Sequence, residues 1–391
     1  MAGDVVLEKR RPLWLRALRG AGVAALVLAI VCGALFFWAR AYNTAQVRIG
    51  TSNGIDTQEY IEIGGIKQYI QIRGQDRSNP VVLLLHGGPG QPEALQYYLW
   101  QKPLQADFTF VDWDQRGAGN TYYENDGDCG VVDQARLVQD IDEIVDYLRE
   151  EFGQEKIIIV GHSFGSTIGV RYVQAHPEKV RHYFGVGQMA GSLSEMTAEQ
   201  VREAAEIARA GGDEEAAADM ELHLQSYLEN LEALRGEPAG EGSETIFKHP
   251  AYADWGDLRR QTYKYLPDAG RSDLYIGFAG AVSPRATMND LKWWLGGMSS
   301  EGALRALDPL ERELFVEDVS LLDGPMEFKV PVTFIMGAED WVTPGTLAEA
   351  YLERIDAPAK QIRYVEDAGH TPMWDNPEQF AYHFKKALKG A

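Results

Sequence analysis

The stretch that decides the fold is residues 156–165, which read Lys-Ile-Ile-Ile-Val-Gly-His-Ser-Phe-Gly. Its first half is a β-branched apolar run, the pattern of a buried strand. A helical pattern follows it, so Gly161, Ser163 and Gly165 form a Gly-x-Ser-x-Gly motif at a strand-to-helix turn. Such a turn exposes the Ser163 hydroxyl at a helix N-terminus, where partial positive charge favours an oxyanion. The motif predicts a nucleophilic serine.

A serine nucleophile needs a base to take its proton. Two histidines lie far downstream of Ser163, where the chain order Ser, acid, His places the base. His383 falls in a segment with a helical pattern, which favours a position on a helix surface. His370 follows a predicted strand at residues 361–365 and lies in a loop. We therefore predict that His370 is the base.

The base needs an acid that orients it. A strand predicted at residues 330–336 is followed by Gly-Ala-Glu-Asp, and the acid is expected in this loop. Asp340 is the predicted acid, because such a turn presents its fourth residue. Glu339 is the alternative, and a solvated acidic loop is the non-catalytic interpretation.

A tetrahedral intermediate also needs hydrogen-bond donors for its oxyanion. Residues 86–90 read His-Gly-Gly-Pro-Gly and follow a strand predicted at residues 81–85. Glycines let a substrate approach the backbone closely. The expected donors are the N–H groups of Gly88 and Phe164, and His86 is expected to hydrogen-bond the loop backbone.

Three motifs together resemble the prolyl iminopeptidase family of serine peptidases. They are His-Gly-Gly-Pro-Gly at 86–90, Asp-Trp-Asp-Gln-Arg-Gly-Ala-Gly at 112–119 and Gly-His-Ser-Phe-Gly-Ser at 161–166. The resemblance implies the α/β-hydrolase fold, in which a mostly parallel sheet is flanked by helices and carries an inserted helical lid. It also implies cleavage of an N-terminal residue from small peptides or amides through an acyl-enzyme.

The resemblance implies a part in the reaction for five residues of this chain. It assigns the catalytic roles to Ser163, Asp340 and His370, and the oxyanion hole to the N–H groups of Gly88 and Phe164. It also implies a scaffold role for the second motif, whose Asp114 and Arg116 we expect to pair and to fix the neighbouring loop.

The chain departs from the family pattern at the turn that carries Ser163 and in the lid. His162 and Phe164 stand where the family often has Gly and Trp, and the lid glutamates that hold the substrate's amine cannot be aligned. A carboxylesterase or lactonase acting on small acyl esters is therefore the alternative enzyme. A catalytically silent binding module is the alternative from another class. The candidate substrate-binding residues are Glu195, Glu199, Trp293 and Trp294.

A basic segment and an apolar segment come first in the chain. Residues 20–38 are uninterrupted apolar residues, enough to span a bilayer. Five Lys and Arg residues precede them and only Arg40 follows closely, so the positive-inside rule places the N-terminus in the cytoplasm. We predict an uncleaved signal anchor with the catalytic body on the non-cytoplasmic side, periplasmic or extracellular. A signal peptide cleaved near Ala41 is the alternative.

The remaining patterns divide the chain into six parts. Strand and helix patterns alternate before and after a long, purely helical stretch, as expected for a parallel sheet with an inserted lid. The predicted parts are a basic segment 1–19, a membrane helix 20–38, a tether 39–58, a first core part 59–186, a lid 187–327 and a second core part 328–391.

Composition limits the partners. The formal net charge of −21 argues against nucleic acid. The two cysteines, Cys32 and Cys129, have no zinc-ligand neighbours, and no dinucleotide or P-loop motif is present. We therefore expect no metal or cofactor, and expect a small peptide, amide or ester as substrate.

Overall fold

A computed structural model describes residues 13–235, 245–266 and 273–389, and an eight-stranded sheet forms its centre. The strands are β1 Ile55–Ile63, β2 Ile66–Gly74, β3 Val81–Leu85, β4 Thr109–Trp113, β5 Ile157–His162, β6 Val180–Val186, β7 Val332–Gly337 and β8 Lys360–Val365. Their order across the sheet is β1-β2-β4-β3-β5-β6-β7-β8. The β1–β2 and β2–β4 pairs are antiparallel, and every later pair is parallel. The predicted mostly parallel sheet is confirmed, and β1 and β2 form an antiparallel hairpin at one edge of it.

The central strands are apolar on both faces because helices cover both. In β3, Val81, Leu83 and Leu85 belong to one hydrophobic cluster, whereas Val82 and Leu84 belong to another on the opposite face. This alternation is the two-residue period of a strand. Continuous apolar runs are therefore what a parallel sheet of this kind requires.

Fourteen helices are described. They are α1 Leu13–Gln46, α2 Tyr97–Trp100, α3 Gly119–Glu124, α4 Gln134–Phe152, α5 Phe164–Ala175, α6 Leu193–Ala210, α7 Glu214–Arg235, α8 Pro250–Thr262, α9 Asp273–Ala281, α10 Met288–Lys292, α11 Glu301–Arg312, α12 Gly345–Arg354, α13 Pro372–Asp375 and α14 Pro377–Lys389. Helix α4 shows why these segments are helical. The Asp133 side chain accepts from the Arg136 N–H at its start, and Gly153 ends it in the left-handed conformation at φ 61°.

The lid is inserted between β6 and β7. It consists of α6 to α11 with their connections, and α6, α7 and α8 enclose a hydrophobic cluster of their own. The purely helical pattern of this stretch agrees with the structure, since no strand interrupts these helices among the described residues. Residues 236–244 and 267–272 of the predicted lid lie outside the described residues.

The N-terminal helix differs from the prediction at its end. Helix α1 continues to Gln46 and β1 begins at Ile55, so the predicted tether 39–58 is helical at its start and a strand at its end. Its stretch from Gly20 to Gln46 has a mean hydropathy of 2.5 in its most apolar window, none of which is buried against the body. By length and composition this helix could cross a membrane. Most of the predicted basic segment 1–19 lies outside the described residues.

Candidate active site

Ser163 lies in the turn between β5 and α5, at the carboxyl edge of the sheet. Its backbone has φ 51° and ψ −124°, a strained conformation for a residue with a side chain. The Ser163 N–H donates to Val186 O at 3.0 Å, and its carbonyl accepts from the Ser166 N–H at 2.9 Å. These bonds hold the serine in the strained turn and leave its side chain at the edge of the sheet.

Glycine is required two residues before and two residues after this serine. A Cβ on Gly161 would lie 2.6 Å from the carbonyl oxygen of Gly165, and a Cβ on Gly165 would collide with that of Leu85. The chain therefore passes close to β3 and to itself, which explains the Gly-x-Ser-x-Gly spacing found in the sequence.

Asp340 and His370 are in direct contact. The Nδ1 of His370 lies 3.1 and 3.0 Å from the two carboxylate oxygens of Asp340. A carboxylate only accepts hydrogen bonds, so Nδ1 is the donor, and Nε2 is the ring nitrogen left to act as a base. The alternative acid, Glu339, is not the residue that lies against His370.

Asp340 is held as an anion. Burial alone would raise its pKa, but the charge and hydrogen bond of His370 and the hydrogen bonds of Thr343 outweigh burial and lower it. One oxygen accepts from the N–H groups of Val342 and Thr343 at 2.9 and 3.0 Å, and the other accepts from the Thr343 hydroxyl at 2.8 Å. These bonds fix the carboxylate that orients the imidazole.

The end of β6 lies between the serine and the histidine. A Cβ on Gly187 would lie 3.1 Å from Nδ1 of His370 and 3.2 Å from Oδ2 of Asp340, whereas Val186 accepts from the Ser163 N–H. Residues 186 and 187 at the end of β6 therefore neighbour Ser163 on one side and the Asp340–His370 pair on the other. No hydrogen bond joins the Ser163 hydroxyl to His370 in the part of the chain that the structure describes.

The loop of residues 86–90 follows β3 and borders the serine. A Cβ on Gly87 would lie 2.9 Å from Cβ of Ser163. Gly88 has φ 111°, a conformation that favours glycine. Neither the Gly88 N–H nor the Phe164 N–H has an acceptor among the described residues. Both predicted oxyanion donors are therefore unoccupied and lie on the two segments that border Ser163.

His86 anchors this loop, as expected. Its Nε2 accepts from the Gln115 N–H at 3.1 Å, and its Nδ1 donates to the Gly87 carbonyl at 2.9 Å. Burial lowers the pKa of His86 to about 4, so the ring is neutral, as these two bonds require. His86 is therefore a structural residue of the loop.

Sequence reasoning missed a buried pair beneath the site, Glu93 and His162. Oε1 of Glu93 accepts from Nδ1 of His162 at 2.5 Å and from the Gly87 N–H at 3.1 Å. Nε2 of His162 lies 2.9 Å from the carbonyl oxygen of His370. The pair therefore connects three segments. They are the loop of residues 86–90, called the oxyanion loop below, the turn that carries Ser163, and the loop that carries His370, called the base loop below.

The hydrogen bonds identify the charge state of this pair. Both ring nitrogens of His162 face acceptors, so both donate and the ring is an imidazolium. Burial would lower the pKa of His162, but the Glu93 charge and hydrogen bond outweigh it and raise that pKa. Burial would likewise raise the pKa of Glu93, but the charge and hydrogen bond of His162 outweigh burial and lower that pKa. The only sequence signal was the departure at position 162 from the family pattern.

The candidate substrate-binding residues have different surroundings. Glu195 accepts from the Ser192 N–H at 2.7 Å in the capping box of α6. Glu199 pairs with Arg202 at 2.6 Å and accepts from the Thr346 hydroxyl at 2.8 Å. Both carboxylates therefore already have partners within the protein.

Trp293 and Trp294 follow α10 in the lid. Trp293 is buried, and its Nε1 donates to the carbonyl of Gly90 at 3.0 Å, at the end of the oxyanion loop. Trp294 is partly buried and packs against the cluster that contains Trp293. Trp293 thus reaches the loop that borders Ser163.

The expected pairing of Asp114 with Arg116 is wrong. Arg116 forms a bidentate pair with Asp140 of α4, at 2.7 and 3.0 Å. Asp114 instead accepts from the N–H and side chain of Asn120 at 2.8 and 2.9 Å, at the start of α3. Both residues keep a scaffold role, but with partners that come from other segments.

Residues with metal-ligand potential do not cluster within the described ranges. No group of three or more His, Cys, Asp or Glu side chains there could hold a metal ion, and Cys32 and Cys129 are both free.

Comparisons with known proteins identify the family of this chain. The α/β-hydrolase fold family model matches residues 80–377. A probable aminopeptidase of Bacillus subtilis, YbaC, is 26% identical over 335 residues, which cover 85% of this chain and 96% of that protein.

Solved structures show the same fold. The proline iminopeptidase-related protein TTHA1809 of Thermus thermophilus has a TM-score of 0.54 at 20% identity, covering 86% of this chain and 98% of that one. The carboxylesterase CesB (YbfK) of Bacillus subtilis has a TM-score of 0.50 at 18% identity, covering 92% and 99%. The chain therefore belongs to the α/β-hydrolase fold family, and it is a hydrolase that resembles aminopeptidases of the proline iminopeptidase type.

Proposed function

We propose that this protein is a serine hydrolase with Ser163 as nucleophile, His370 as base and Asp340 as acid. The observation that carries the proposal is the pairing of Asp340 with His370 at the sheet edge where Ser163 lies in a strained turn. A serine held in this conformation costs about 1–3 kcal/mol, which a purely structural turn would not need. The same reasoning weighs against a catalytically silent binding module.

The proposed reaction begins with proton transfer. Nε2 of His370 takes the proton of the Ser163 hydroxyl while Oγ attacks the acyl carbon of the substrate. The N–H groups of Gly88 and Phe164 hold the resulting oxyanion. His370 then gives the proton to the leaving amine or alcohol, and an acyl-enzyme remains.

Water completes the cycle. His370 takes a proton from the water that attacks the acyl-enzyme, and it returns this proton to Oγ of Ser163 as the acid product leaves. Asp340 stays ionised throughout and stabilises the imidazolium at each step.

We propose an aminopeptidase as the first substrate assignment, cleaving an N-terminal residue from small peptides or amides. The similarity to the probable aminopeptidase YbaC over 85% of the chain supports it. Such an enzyme must hold the substrate's ammonium group close to a carboxylate. An unpaired partner in a buried pair costs about 3–5 kcal/mol, so this contact would discriminate strongly.

A carboxylesterase is the second candidate, and one observation favours it. The lid carboxylates predicted to meet an ammonium group, Glu195 and Glu199, already have partners within the protein. Trp293 instead brings an aromatic side chain to Gly90, beside the oxyanion loop.

Two substrates that differ only at the amine distinguish these candidates. An aminopeptidase should cleave free alanine or proline arylamides about 100-fold faster than their N-acetylated forms, because acetylation removes the charge. Equal rates on both forms, with faster cleavage of short acyl esters, would refute the aminopeptidase assignment and leave serine hydrolysis intact.

A covalent probe tests the nucleophile itself. A fluorophosphonate should label the wild type and a Ser226→Ala control, whose serine is exposed on the lid helix α7, but not Ser163→Ala. Labelling that persists in Ser163→Ala would refute the assignment.

We also propose that α1 anchors the protein in a membrane, with the body on the non-cytoplasmic side. The exposed apolar surface of α1 and the excess of basic residues before it support this orientation.

A further inference from the structure

A cationic cavity lies where the end of α1 meets the body. It has a volume of about 380 Å³ and is bounded by α1, the segment after it, β1, β2 and the lid segment before α10. Four arginines line it, namely Arg40, Arg48, Arg73 and Arg285, with Asp56 as the only carboxylate among the lining residues. In a chain with a formal net charge of −21, this concentration of positive charge is exceptional.

The one carboxylate is already shared by two arginines. Asp56 pairs with Arg73 and with Arg285. Arg73 is buried, stacks at 4.5 Å from the ring centre of Tyr97, and has an Nε atom with no hydrogen-bond partner. Two guanidinium groups thus share one negative charge, and one of them, that of Arg73, is buried.

The other two arginines have no carboxylate partner among the described residues. Arg40 donates to the carbonyls of Pro284 and Ala286 at 3.3 and 3.1 Å, which positions its guanidinium without neutralising it. Arg48 is exposed at the cavity rim. The cavity is therefore arranged for an anion that can meet several guanidinium groups at once.

We infer that this cavity binds a phosphate group, either that of a membrane lipid headgroup or that of a free phosphate ester. A planar guanidinium offers paired N–H donors whose spacing matches two phosphate oxygens. A phosphate has more acceptor oxygens and more negative charge than a carboxylate, so it can accept from more guanidinium groups at once. The inference is independent of the proposed hydrolysis.

The position of Arg40 along α1 favours a lipid headgroup as the source of the phosphate. Arg40 lies two residues past the apolar stretch that ends at Trp38, which is about 3 Å along the helix axis. If α1 spans the bilayer as proposed, the cavity opens at the level of the headgroups, just outside the hydrocarbon core.

Exposed apolar side chains beside the cavity point the same way. Phe278 and Met288 are 60% and 68% exposed. Met288 follows Thr287, which lines the cavity, and Phe278 is one helical turn before Val282, whose carbonyl accepts from Asn43 of α1 at 3.2 Å. An anion with acyl chains would meet positive charge and apolar surface together.

Ligand titration of the full-length chain in a neutral detergent tests the inference. The probes are dioctanoyl phosphatidylglycerol, glycerol 3-phosphate, inorganic phosphate and, as a phosphate-free control, dioctanoylglycerol. Adducts are counted by native mass spectrometry, and affinity is taken from the shift in unfolding midpoint. We expect phosphate-bearing probes to bind, the phosphate-free lipid to bind far more weakly, and the lipid probe to bind tightest.

Arginine variants test whether phosphate binding depends on the side chains that line the cavity. Arg40→Gln and Arg48→Gln should each weaken binding by about tenfold or more. Arg202→Gln and Arg305→Gln, at exposed positions of α6 and α11, should leave it unchanged. Because the Arg48 side chain is exposed, Arg48→Gln remains informative if Arg40→Gln fails to fold.

Two results would overturn the inference: binding of no phosphate-bearing probe, or binding that Arg48→Gln and Arg40→Gln leave unchanged. Equal affinity for free phosphate esters and the lipid would support the site and assign it to free phosphate esters.

Discussion

Replacing Glu93 by Gln tests whether the buried pair positions the catalytic residues. In the wild type, one carboxylate oxygen serves both His162 and the Gly87 N–H, and the two paired side chains are only 4–5% exposed. A glutamine keeps the shape but removes the charge that stabilises the imidazolium. A neutral His162 carries one N–H, so it must give up either its bond to residue 93 or its bond to the His370 carbonyl.

The expected cost follows from these contacts. Removing one partner of a buried ion pair costs about 3–5 kcal/mol, and the glutamine oxygen can still accept one bond, so we expect about 3 kcal/mol. For a body of this size, that lowers the unfolding midpoint by about 4 °C. Loss of the bond to the His370 carbonyl loosens the base loop, and a displacement of about 1 Å can cost about 100-fold in rate. We expect kcat/KM to fall by about 10- to 100-fold.

The assay compares kcat/KM and thermal unfolding with those of Asp140→Asn. Asp140 is also fully buried and paired, with Arg116, and it hydrogen-bonds neither Ser163 nor His370. Asp140→Asn should lower stability comparably and change kcat/KM much less. If Glu93→Gln loses stability but keeps kcat/KM within about twofold of the wild type, the positioning role is refuted.

Three further predictions concern the acid, a buried carboxyl and the N-terminus. Asp340→Asn should lower the rate by about 10⁴-fold because the amide favours the wrong imidazole tautomer, while Glu339→Gln should change it little; the opposite ranking in steady-state kinetics would assign the role to Glu339. Burial, and then the carboxylate of Asp290, raise the pKa of Asp114, so the folded state keeps a proton that the unfolded state releases near pH 4. The free energy of unfolding should therefore fall as pH rises from 5 to 7, and Asp114→Asn should reduce this slope by up to about 1.4 kcal/mol per pH unit; denaturant titrations with equal slopes would contradict the assignment. Full-length protein should resist carbonate extraction from membranes, whereas a mature N-terminus at Tyr42, found by mass spectrometry, would show cleavage instead.

Local patterns predicted the type and order of the core strands and the candidate residues that follow them, but not the end of α1. Ser163 belongs to a motif whose glycines and flanking strand and helix are contiguous in the chain, so its position in a turn follows from the sequence. Asp340 and His370 each follow a strand that the apolar pattern reveals. Because neighbouring parallel strands end at the same edge of a sheet, their side chains meet there. Their catalytic roles stay predictions until the variants are measured.

The partners of buried charges could not be predicted in the same way. His162 meets Glu93 from 69 positions away and the His370 carbonyl from 208 positions away. Arg116 was assigned to a neighbour in the chain but pairs with Asp140, which one helix brings beneath it. Such pairs depend on how helices pack onto the sheet, and a single sequence has no periodic signal for that.

The hydrogen bond from Trp293 to Gly90 has a consequence for how substrate enters. Trp293 is buried against Tyr122 and Tyr123 of the core, so this part of the lid cannot lift away without releasing the carbonyl of Gly90. Lifting this part of the lid would therefore remove one of the contacts that hold residues 86–90, while the bonds of His86 and Glu93 to the same loop remain. If residues 86–90 supply an oxyanion donor as proposed, substrate entry by that route would transiently loosen the donor's position. By reciprocity, a transition-state analogue that orders residues 86–90 should also hold this part of the lid in place.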